Sequence, residues 1–412
     1  MSHAEDVSPW DLLPSSVPGK RTRHWWLLFA WLAVAALAAT EITVQVQHFL
    51  WGSVPLTDVS PGFGTGAVSD MPVVSPDGRT LYVPSGTRSI TPVATATRKA
   101  APRIRISGPG SISAMAITPD SRTLFAAMVI DSSTRPGLPL ARVDLRTGRE
   151  TGQVDIPGGA GNFVMSRDGK TLYVASEFRF IVDRNNNVTG EVHSALYAVN
   201  AVTGRIERQL PVPAGVLDDE LTMVLSPDGG TLYLANVPNS GRYTVTSVSL
   251  RTGQPSTIVG LDEQPTALAI TPDGRTLYVT TSGAEGDGQQ MGPNKVTAID
   301  TATSRVRASL TWKAQPMYLT MAPNGKTVWV VSFTGAEETT ADNTVTPVNV
   351  ATDQPGPSLH TSGWLNYQDG PSAAAISPDS QTLYVAVRSG LETLRVSLPT
   401  GGEPGTPPGE AC

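Results

Sequence analysis

Residues 271–279 read TPDGRTLYV, and close copies of this phrase occur six more times along the chain. The other copies are SPDGRTLYV from Ser75, TPDSRTLFA from Thr118, SRDGKTLYV from Ser166, SPDGGTLYL from Ser226, APNGKTVWV from Ala322 and SPDSQTLYV from Ser377. Their starting points lie 43 to 60 residues apart. A repeat of this length, rich in short apolar runs and turns, is typical of β-propellers. The sequence therefore predicts an all-β fold, a seven-bladed β-propeller of four-stranded antiparallel blades.

Each copy of the phrase predicts a tight turn between two strands. A short apolar run precedes it, such as ALAI before Thr271, and another follows it. Proline fixes φ at the second turn position, and glycine accepts the left-handed conformation that closes the hairpin. Arg167 replaces the proline, Asn324 replaces the aspartate, and Ser121 and Ser380 replace the glycine. We therefore expect one or two hairpins with a slightly different turn geometry.

The strand before each turn is predicted to be the innermost strand of its blade. Its last residue is bulky and the residue before it is smaller, as in Ile270 after Ala269. Since alternate strand residues face opposite ways, we expect the smaller set to face a narrow axial channel. A third strand ends in a recurring polar turn, as in SVSLRTGQ from Ser247, and a short outer strand follows. The last repeat lacks an outer strand, and we expect residues 53–62 to supply it.

These repeats resemble the YVTN-type β-propellers, which are related to periplasmic and surface-layer propellers. The resemblance covers residues 53–400, and its carriers are the SPDG turns and the Tyr-Val segments. Residues 278–281 read YVTT and match the family's name most closely, whereas residues 173–176 read YVAS. The resemblance implies ligand or protein binding, and some propeller relatives act as lactonases or carry redox cofactors.

Composition argues against several other classes of function. The net charge is −6, and no basic stripe interleaved with aromatic residues occurs, so nucleic acid is not an expected partner. The only cysteine is the final residue, Cys412, which excludes an intrachain disulfide and a cysteine-based metal site. Only His193 and His360 lie inside the predicted propeller. We therefore predict no metal and no cofactor.

The N-terminal region predicts export of the propeller. Basic residues at 20–23 precede an uncharged run, WWLLFAWLAVAALAAT from Trp25, and this order keeps the N-terminus in the cytoplasm. We expect a cytoplasmic leader over 1–24, one transmembrane or signal-anchor helix over 25–41, a stalk over 42–52, the propeller over 53–400 and a disordered Gly/Pro tail over 401–412. A cleaved signal stays open as an alternative, in which case the protein is secreted.

The candidate binding site lies at the end of the propeller where the connections vary most. In a four-stranded blade the first and third turns share one end, and here they are uniform. The second connections and the crossovers share the other end, and long loops there can carry functional side chains. The candidate ligand-binding residues at the channel mouth are Glu177, Arg179, Asp218, Asp219, Glu220, Asp262, Glu263 and Arg388. The alternative for each cluster is solvated loop charge that binds nothing specific.

No sequence motif predicts catalysis. The GxSxG, HExxH, Walker and GxGxxG patterns are absent from suitable contexts, so no catalytic residue is assigned. The favoured interpretation is a membrane-anchored extracytoplasmic scaffold that binds an envelope protein or a small ligand. The alternative is a lactonase-type hydrolase at the channel mouth, with Glu177, Asp219 or Glu220 as the base and Arg179 or Arg388 beside the oxyanion.

Overall fold

The structure is a computed structural model of the 412-residue chain. The residues it describes are 72–129, 138–176, 179–182, 188–192, 195–211, 222–236, 242–283, 292–334, 342–361, 374–387 and 390–395. All of them belong to one compact unit, Ser53–Cys412. The predicted anchor helix over 25–41, the leader, the stalk, residues 53–62 and the tail lie outside the described residues. Within the described part of the chain there is no helix with the length and apolar character of a membrane span.

Six sheets of antiparallel strands form complete blades, and each follows the chain order from its first strand to its last. Blade 1 contains β1 (Val73–Val74), β2 (Thr80–Pro84), β3 (Ser89–Ala94) and β4 (Ile104–Arg105), and blade 2 contains β5 (Ser111–Ile117), β6 (Thr123–Val129), β7 (Leu140–Asp144) and β8 (Arg149–Val154). Blade 3 contains β9 (Ala160–Met165), β10 (Thr171–Ser176), β13 (Leu196–Asn200) and β14 (Ile206–Leu210), and a separate hairpin of β11 (Arg179–Val182) and β12 (Val188–Val192) lies between β10 and β13 in the chain.

The remaining sheets follow the same order. Blade 4 contains β15 (Thr222–Leu225), β16 (Thr231–Asn236), β17 (Tyr243–Ser249) and β18 (Pro255–Leu261), and blade 5 contains β19 (Gln264–Ile270), β20 (Thr276–Ser282), β21 (Asn294–Asp300) and β22 (Arg305–Trp312). Blade 6 contains β23 (Gln315–Met321), β24 (Thr327–Thr334), β25 (Asp342–Asn349) and a divided outer strand, β26 (Gln354–Pro355) and β27 (Leu359–Thr361), both paired with β25. The last repeat forms a three-stranded sheet, the closing sheet, of β28 (Ala374–Ile376), β29 (Thr382–Val387) and β30 (Gly390–Arg395).

The predicted fold class is confirmed as a propeller, but the predicted number of blades is wrong. The structure has six four-stranded blades in place of the predicted seven, because the seventh repeat has only three strands among the described residues. The residues expected to complete this sheet, 53–62, lie outside the described part of the chain. The closing sheet still completes the ring, since Tyr384 packs with Leu81 and Val83 of blade 1 in one core cluster.

The SPDG phrase folds as a self-satisfied turn. In the first copy the Ser75 hydroxyl donates to the Asp77 carboxylate at 2.6 Å and accepts the amide of Thr80 at 3.0 Å. The residue in the glycine position has positive φ, 72° at Gly78. Ser121 and Ser380 adopt the same conformation, with φ of 58° and 61°. The turns at these two serines therefore keep the geometry of the glycine turns, because the local hydrogen bonds hold the left-handed conformation without glycine.

The turns also contact one another around the ring. A β-carbon placed on a turn glycine would lie close to the turn proline of the preceding sheet: 2.7 Å from Pro119 for Gly169, and 3.4 Å from Pro378 for Gly78. Beside Gly229 nothing lies within 4 Å, because the preceding turn carries Arg167 instead of proline. The Arg167 guanidinium donates to a carbonyl of the next turn, that of Pro227, at 3.0 Å.

The hydrophobic core is divided into clusters that each fill the seam between two neighbouring sheets. Val164 of blade 3 packs into the seam with blade 4, whereas the adjacent Met165 packs into the seam with blade 2. The same alternation holds for Ala269 and Ile270 of blade 5. The expectation that the smaller residues face an axial channel was therefore wrong. They pack on the next blade, since the two faces of each sheet point toward its two neighbours.

Candidate functional site

The two ends of the propeller differ in character. We call the end with the SPDG turns the turn end, and the end with the crossovers and the second-to-third connections the variable end. At the turn end the aspartates bond to hydroxyls and amides of their own turns. Each turn aspartate accepts a hydrogen bond from the hydroxyl two residues before it. This hydrogen bond lowers the pKa of Asp77, Asp120, Asp168, Asp228, Asp273 and Asp379. These carboxylates are therefore already paired within their own turns.

The structure describes some of the residues predicted to bind a ligand and not others. Glu177, Asp218, Asp219, Glu220 and Arg388 lie outside the described residues. Arg179 begins β11 and pairs in register with Val192, but its side chain lies outside what is described. The side chains required by the lactonase alternative are therefore all outside the described set.

Asp262 and Glu263 lie on the crossover from blade 4 to blade 5, at the variable end. The Asp262 carboxylate pairs with Arg242, and both side chains are largely exposed, at 69% and 74%. Such an exposed pair adds little to stability. The Glu263 carboxylate accepts the ammonium of Lys295 at 2.7 Å, and its side chain is only 10% exposed. Of the two predicted side chains that the structure describes, Glu263 is thus the one held in a fixed, partly buried position.

Buried hydroxyls recur at the variable end of the second strand. Ser85, Ser176, Thr281 and Ser332 occupy equivalent positions in blades 1, 3, 5 and 6, and each is at most 4% exposed. Ser85 accepts the Thr91 hydroxyl at 2.7 Å, and Ser176 accepts the amide of Ala195 at 2.8 Å. Ser332 accepts the indole N–H of Trp312 at 2.9 Å. The Thr281 hydroxyl alone of these four has no hydrogen-bond partner among the described residues.

Thr281 faces the seam between blades 4 and 5. Val279, two residues earlier on the same strand, is in the core cluster of that seam. Lys295 is the cross-strand partner of Thr281 and so lies on the same face. From the blade 4 side, Thr222 lies two residues before Val224, which packs against this cluster. Its hydroxyl is likewise buried and has no described partner. Two unpaired hydroxyls therefore point into one seam near the variable end.

The next seam, between blades 5 and 6, is polar at the same level but paired. The Thr266 hydroxyl lies 2.8 Å from that of Thr280 and donates to the Pro316 carbonyl at 2.7 Å. The Gln315 amide donates to Ser282 at 3.0 Å. The sequence pattern pointed to charged loop residues and not to these strand-end hydroxyls. The signal was present as a serine or threonine ten residues after the start of four of the turn phrases, at Ser85, Ser176, Thr281 and Ser332.

Among the described residues there is no group of three or more His, Cys, Asp or Glu side chains arranged to hold a metal ion. The site's chemistry is that of hydroxyls and one ion pair. These groups donate and accept hydrogen bonds, and within the described residues they do not form a nucleophile–base pair.

Comparisons with known proteins bear on the fold. No protein-family profile matches the chain, and no curated protein matches it in sequence. Among solved structures the chain is similar to hydrazine synthase of Kuenenia stuttgartiensis, with a TM-score of 0.62 and 20% identity over 84% of this chain and 99% of that chain. It is also similar to a chain of a mitotic checkpoint complex, with a TM-score of 0.61 and 13% identity over 84% and 93% of the two chains. At these identities the likeness establishes a β-propeller and nothing finer.

Proposed function

We propose that this chain is a YVTN-type propeller, anchored in the membrane and displayed outside the cytoplasm, which serves as a non-catalytic binding scaffold through its variable end. The observation that carries the proposal is the contrast between the two ends. The turn aspartates are bonded within their own turns, whereas near the variable end the buried hydroxyls of Ser113, Thr222 and Thr281 have no partner among the described residues. One buried group nearer the turn end, the indole N–H of Trp329, also lacks a described partner. Unpaired buried polar groups are rare in proteins, and we attribute these to hydrogen bonds that a bound partner completes.

Two further features support the proposal. The order of basic residues followed by an apolar run at 20–40 favours an exported propeller held by its N-terminal segment. One of the similar structures is a chain of a mitotic checkpoint complex, so a related fold operates within a protein assembly. A propeller suits this task because its rigid ring of sheets presents loops at fixed positions.

Affinity capture from envelope extracts, with the full-length protein as bait, tests the proposal. Blade 4 offers a matched pair of exposed arginines: Arg242 at the variable end and Arg251 at the turn end. We expect Arg242→Glu to reduce capture of the partner at least several-fold and Arg251→Glu to leave it unchanged. Both charge reversals are on the surface and should change stability little.

Three results would contradict the proposal. If Arg251→Glu abolished capture and Arg242→Glu did not, the binding face would be the turn end. If protease added to intact cells left the propeller uncut while cell lysis exposed it, the display outside the cytoplasm would be wrong. Turnover of lactones by the purified protein would support the hydrolase alternative in place of the scaffold.

A further inference from the structure

We propose that the variable end of the seam between blades 4 and 5 binds a small neutral hydroxyl-rich molecule, a saccharide or a similar polyol. This inference rests on the proposed binding function and names a ligand class for it. The seam site consists of Thr222 and Tyr243 from blade 4, Thr281 and Lys295 from blade 5, and Glu263 on the crossover between them.

The first step is the hydrogen-bonding need of the two threonines. A hydroxyl donates one hydrogen bond and accepts up to two, and leaving it buried without a partner costs free energy. Thr281 is 1% exposed, and the hydroxyl oxygens of both Thr222 and Thr281 are buried without a described partner. The groups that satisfy such hydroxyls best are those that both donate and accept, and the hydroxyls of a polyol do so.

The second step is a comparison with the neighbouring seam. Trp312 ends the outer strand of blade 5, and its indole N–H donates a hydrogen bond to the Ser332 hydroxyl in blade 6. Leu261 ends the outer strand of blade 4 in the same way, and its side chain has neither the N–H nor the volume of an indole. Thr281 therefore lacks the donor that the equivalent Ser332 receives. A bound molecule can supply what Trp312 supplies one seam further on.

The third step is the charge balance, which favours a neutral ligand. Glu263 and Lys295 form an ion pair, so their charges cancel. The Lys295 ammonium has three N–H donors and gives one to Glu263, and its side chain is 27% exposed. The carboxylate has further lone pairs for a ligand hydroxyl. An ionic ligand would have to compete with this pair, whereas a polyol uses both its members.

The fourth step is the apolar surface. Tyr243 begins β17 at the variable end, and it packs partly buried against the cluster of this seam. An aromatic ring beside hydroxyls and a carboxylate offers a flat apolar surface for the C–H face of a sugar ring, with polar groups around it to fix the orientation.

The experiment measures binding of a panel of monosaccharides, disaccharides and glycerol to the full-length protein in sugar-free buffer, by isothermal titration calorimetry and saturation-transfer NMR. Thr281→Val and Thr222→Val remove one hydroxyl each and keep the shape of the side chain. Ser332→Ala is the matched control, because its hydroxyl is already bonded to Trp312. We expect each valine variant to weaken saccharide binding about tenfold, the effect of one hydrogen bond, with an unchanged or higher Tm. Ser332→Ala should lower Tm and leave saccharide binding intact.

Several results would overturn the inference. They are the absence of binding by every member of the panel, equal affinity of Thr281→Val and the parent protein, or a crystal structure grown with saccharide that shows only a water molecule between Thr222 and Thr281. Failure here is distinguishable from failure of the scaffold. If Thr281→Val captures its envelope partner as well as the parent protein does and no saccharide binds, only the seam site is wrong. If saccharides bind and no envelope partner is captured, the protein scaffold is wrong and the seam site stands.

Discussion

The Arg307 guanidinium of blade 5 pairs with the Asp353 carboxylate of blade 6 through two parallel hydrogen bonds, Nε to Oδ2 at 2.7 Å and Nη2 to Oδ1 at 2.6 Å. The Tyr278 hydroxyl donates to the same carboxylate at 2.7 Å. Asp353 occupies the turn position that holds Gly204 and Gly253 in blades 3 and 4, and it adopts φ of 54° there. A left-handed aspartate is strained, so the carboxylate offsets that strain by joining two blades.

Asp353→Asn should weaken the joint between blades 5 and 6. Asparagine tolerates the left-handed conformation, but the neutral amide leaves Arg307 without its anion. We expect a loss of about 1–3 kcal/mol in the free energy of unfolding by urea, less than for a fully buried pair because Arg307 is 38% exposed. Asp262→Asn is the matched control on an exposed pair and should cost under about 0.5 kcal/mol. If both variants lost the same free energy of unfolding, the Arg307–Asp353 pair would contribute no more to stability than an exposed ion pair.

The buried tyrosines set an alkaline limit to stability. Burial raises the pKa of Tyr82, Tyr173, Tyr233, Tyr278 and Tyr384, and at Tyr278 the hydrogen bond to the Asp353 carboxylate raises it further. Since the unfolded state ionises near pH 10, it binds fewer protons than the folded state above that pH. The stabilisation is complete below pH 10 and is lost as pH rises through the folded pKa values. We expect the urea midpoint to be constant from pH 8 to about 9.5 and to fall above pH 10. A constant midpoint at pH 11 would contradict this expectation.

The architecture could be predicted from the sequence because the turn chemistry is local. The turn from Ser75 is held by hydrogen bonds that span no more than five residues and by the positive φ of Gly78, so the phrase alone predicts its conformation. The prediction that the small inner-strand residues face the axial channel was wrong, because alternation along a strand does not indicate what packs on either face of the sheet. The fourth strand of the last repeat was predicted from residues 53–62, which lie outside the described residues.

The candidate site was harder to predict for a related reason. Charge is visible in a sequence, so Asp262 and Glu263 were selected, and the structure places only Glu263 in a fixed ion pair. An unpaired hydroxyl is not visible, because Ser332 and Thr281 occupy the same position and differ only in a partner on another blade. Tertiary neighbours decide that difference, and Trp312 and Leu261 are more than 15 residues from the hydroxyls they adjoin.

The sixth turn provides a test of the SPDG chemistry, because it carries Ala322 and Asn324 where the other turns carry a hydroxyl and a carboxylate. The double variant Ala322→Ser, Asn324→Asp should gain the hydrogen bond seen between Ser75 and Asp77. We expect it to raise the free energy of unfolding by about 0.5 kcal/mol at pH 7, a small value because these carboxylates are mostly exposed.

The gain of the double variant should depend on pH. The hydroxyl bond lowers the pKa of each turn aspartate, so the folded state holds the carboxylate ionised where the unfolded state has begun to protonate it. Such stabilisation is complete above the unfolded pKa of about 4 and is lost as pH falls through the folded value. Chemical unfolding at pH 7 and at pH 2.5 should therefore show a larger gain at the higher pH. An equal gain at both would attribute it to packing instead of the carboxylate.

The contacts between turns predict unequal costs for two glycine substitutions. Gly169 and Gly229 have nearly the same φ, 71° and 72°, so alanine meets the same backbone strain at both, about 1 kcal/mol. A β-carbon on Gly169 would lie 2.7 Å from Cδ of Pro119, whereas nothing lies within 4 Å of one on Gly229. Because Pro119 is rigid, the turns of blades 2 and 3 must separate to admit the methyl group, at a further cost of about 1–3 kcal/mol. Thermal unfolding of Gly169→Ala and Gly229→Ala should therefore give a clearly lower Tm for the first. Equal values would mean that the ring of turns is loose enough to absorb the contact, and that the blades are held together by their seams alone.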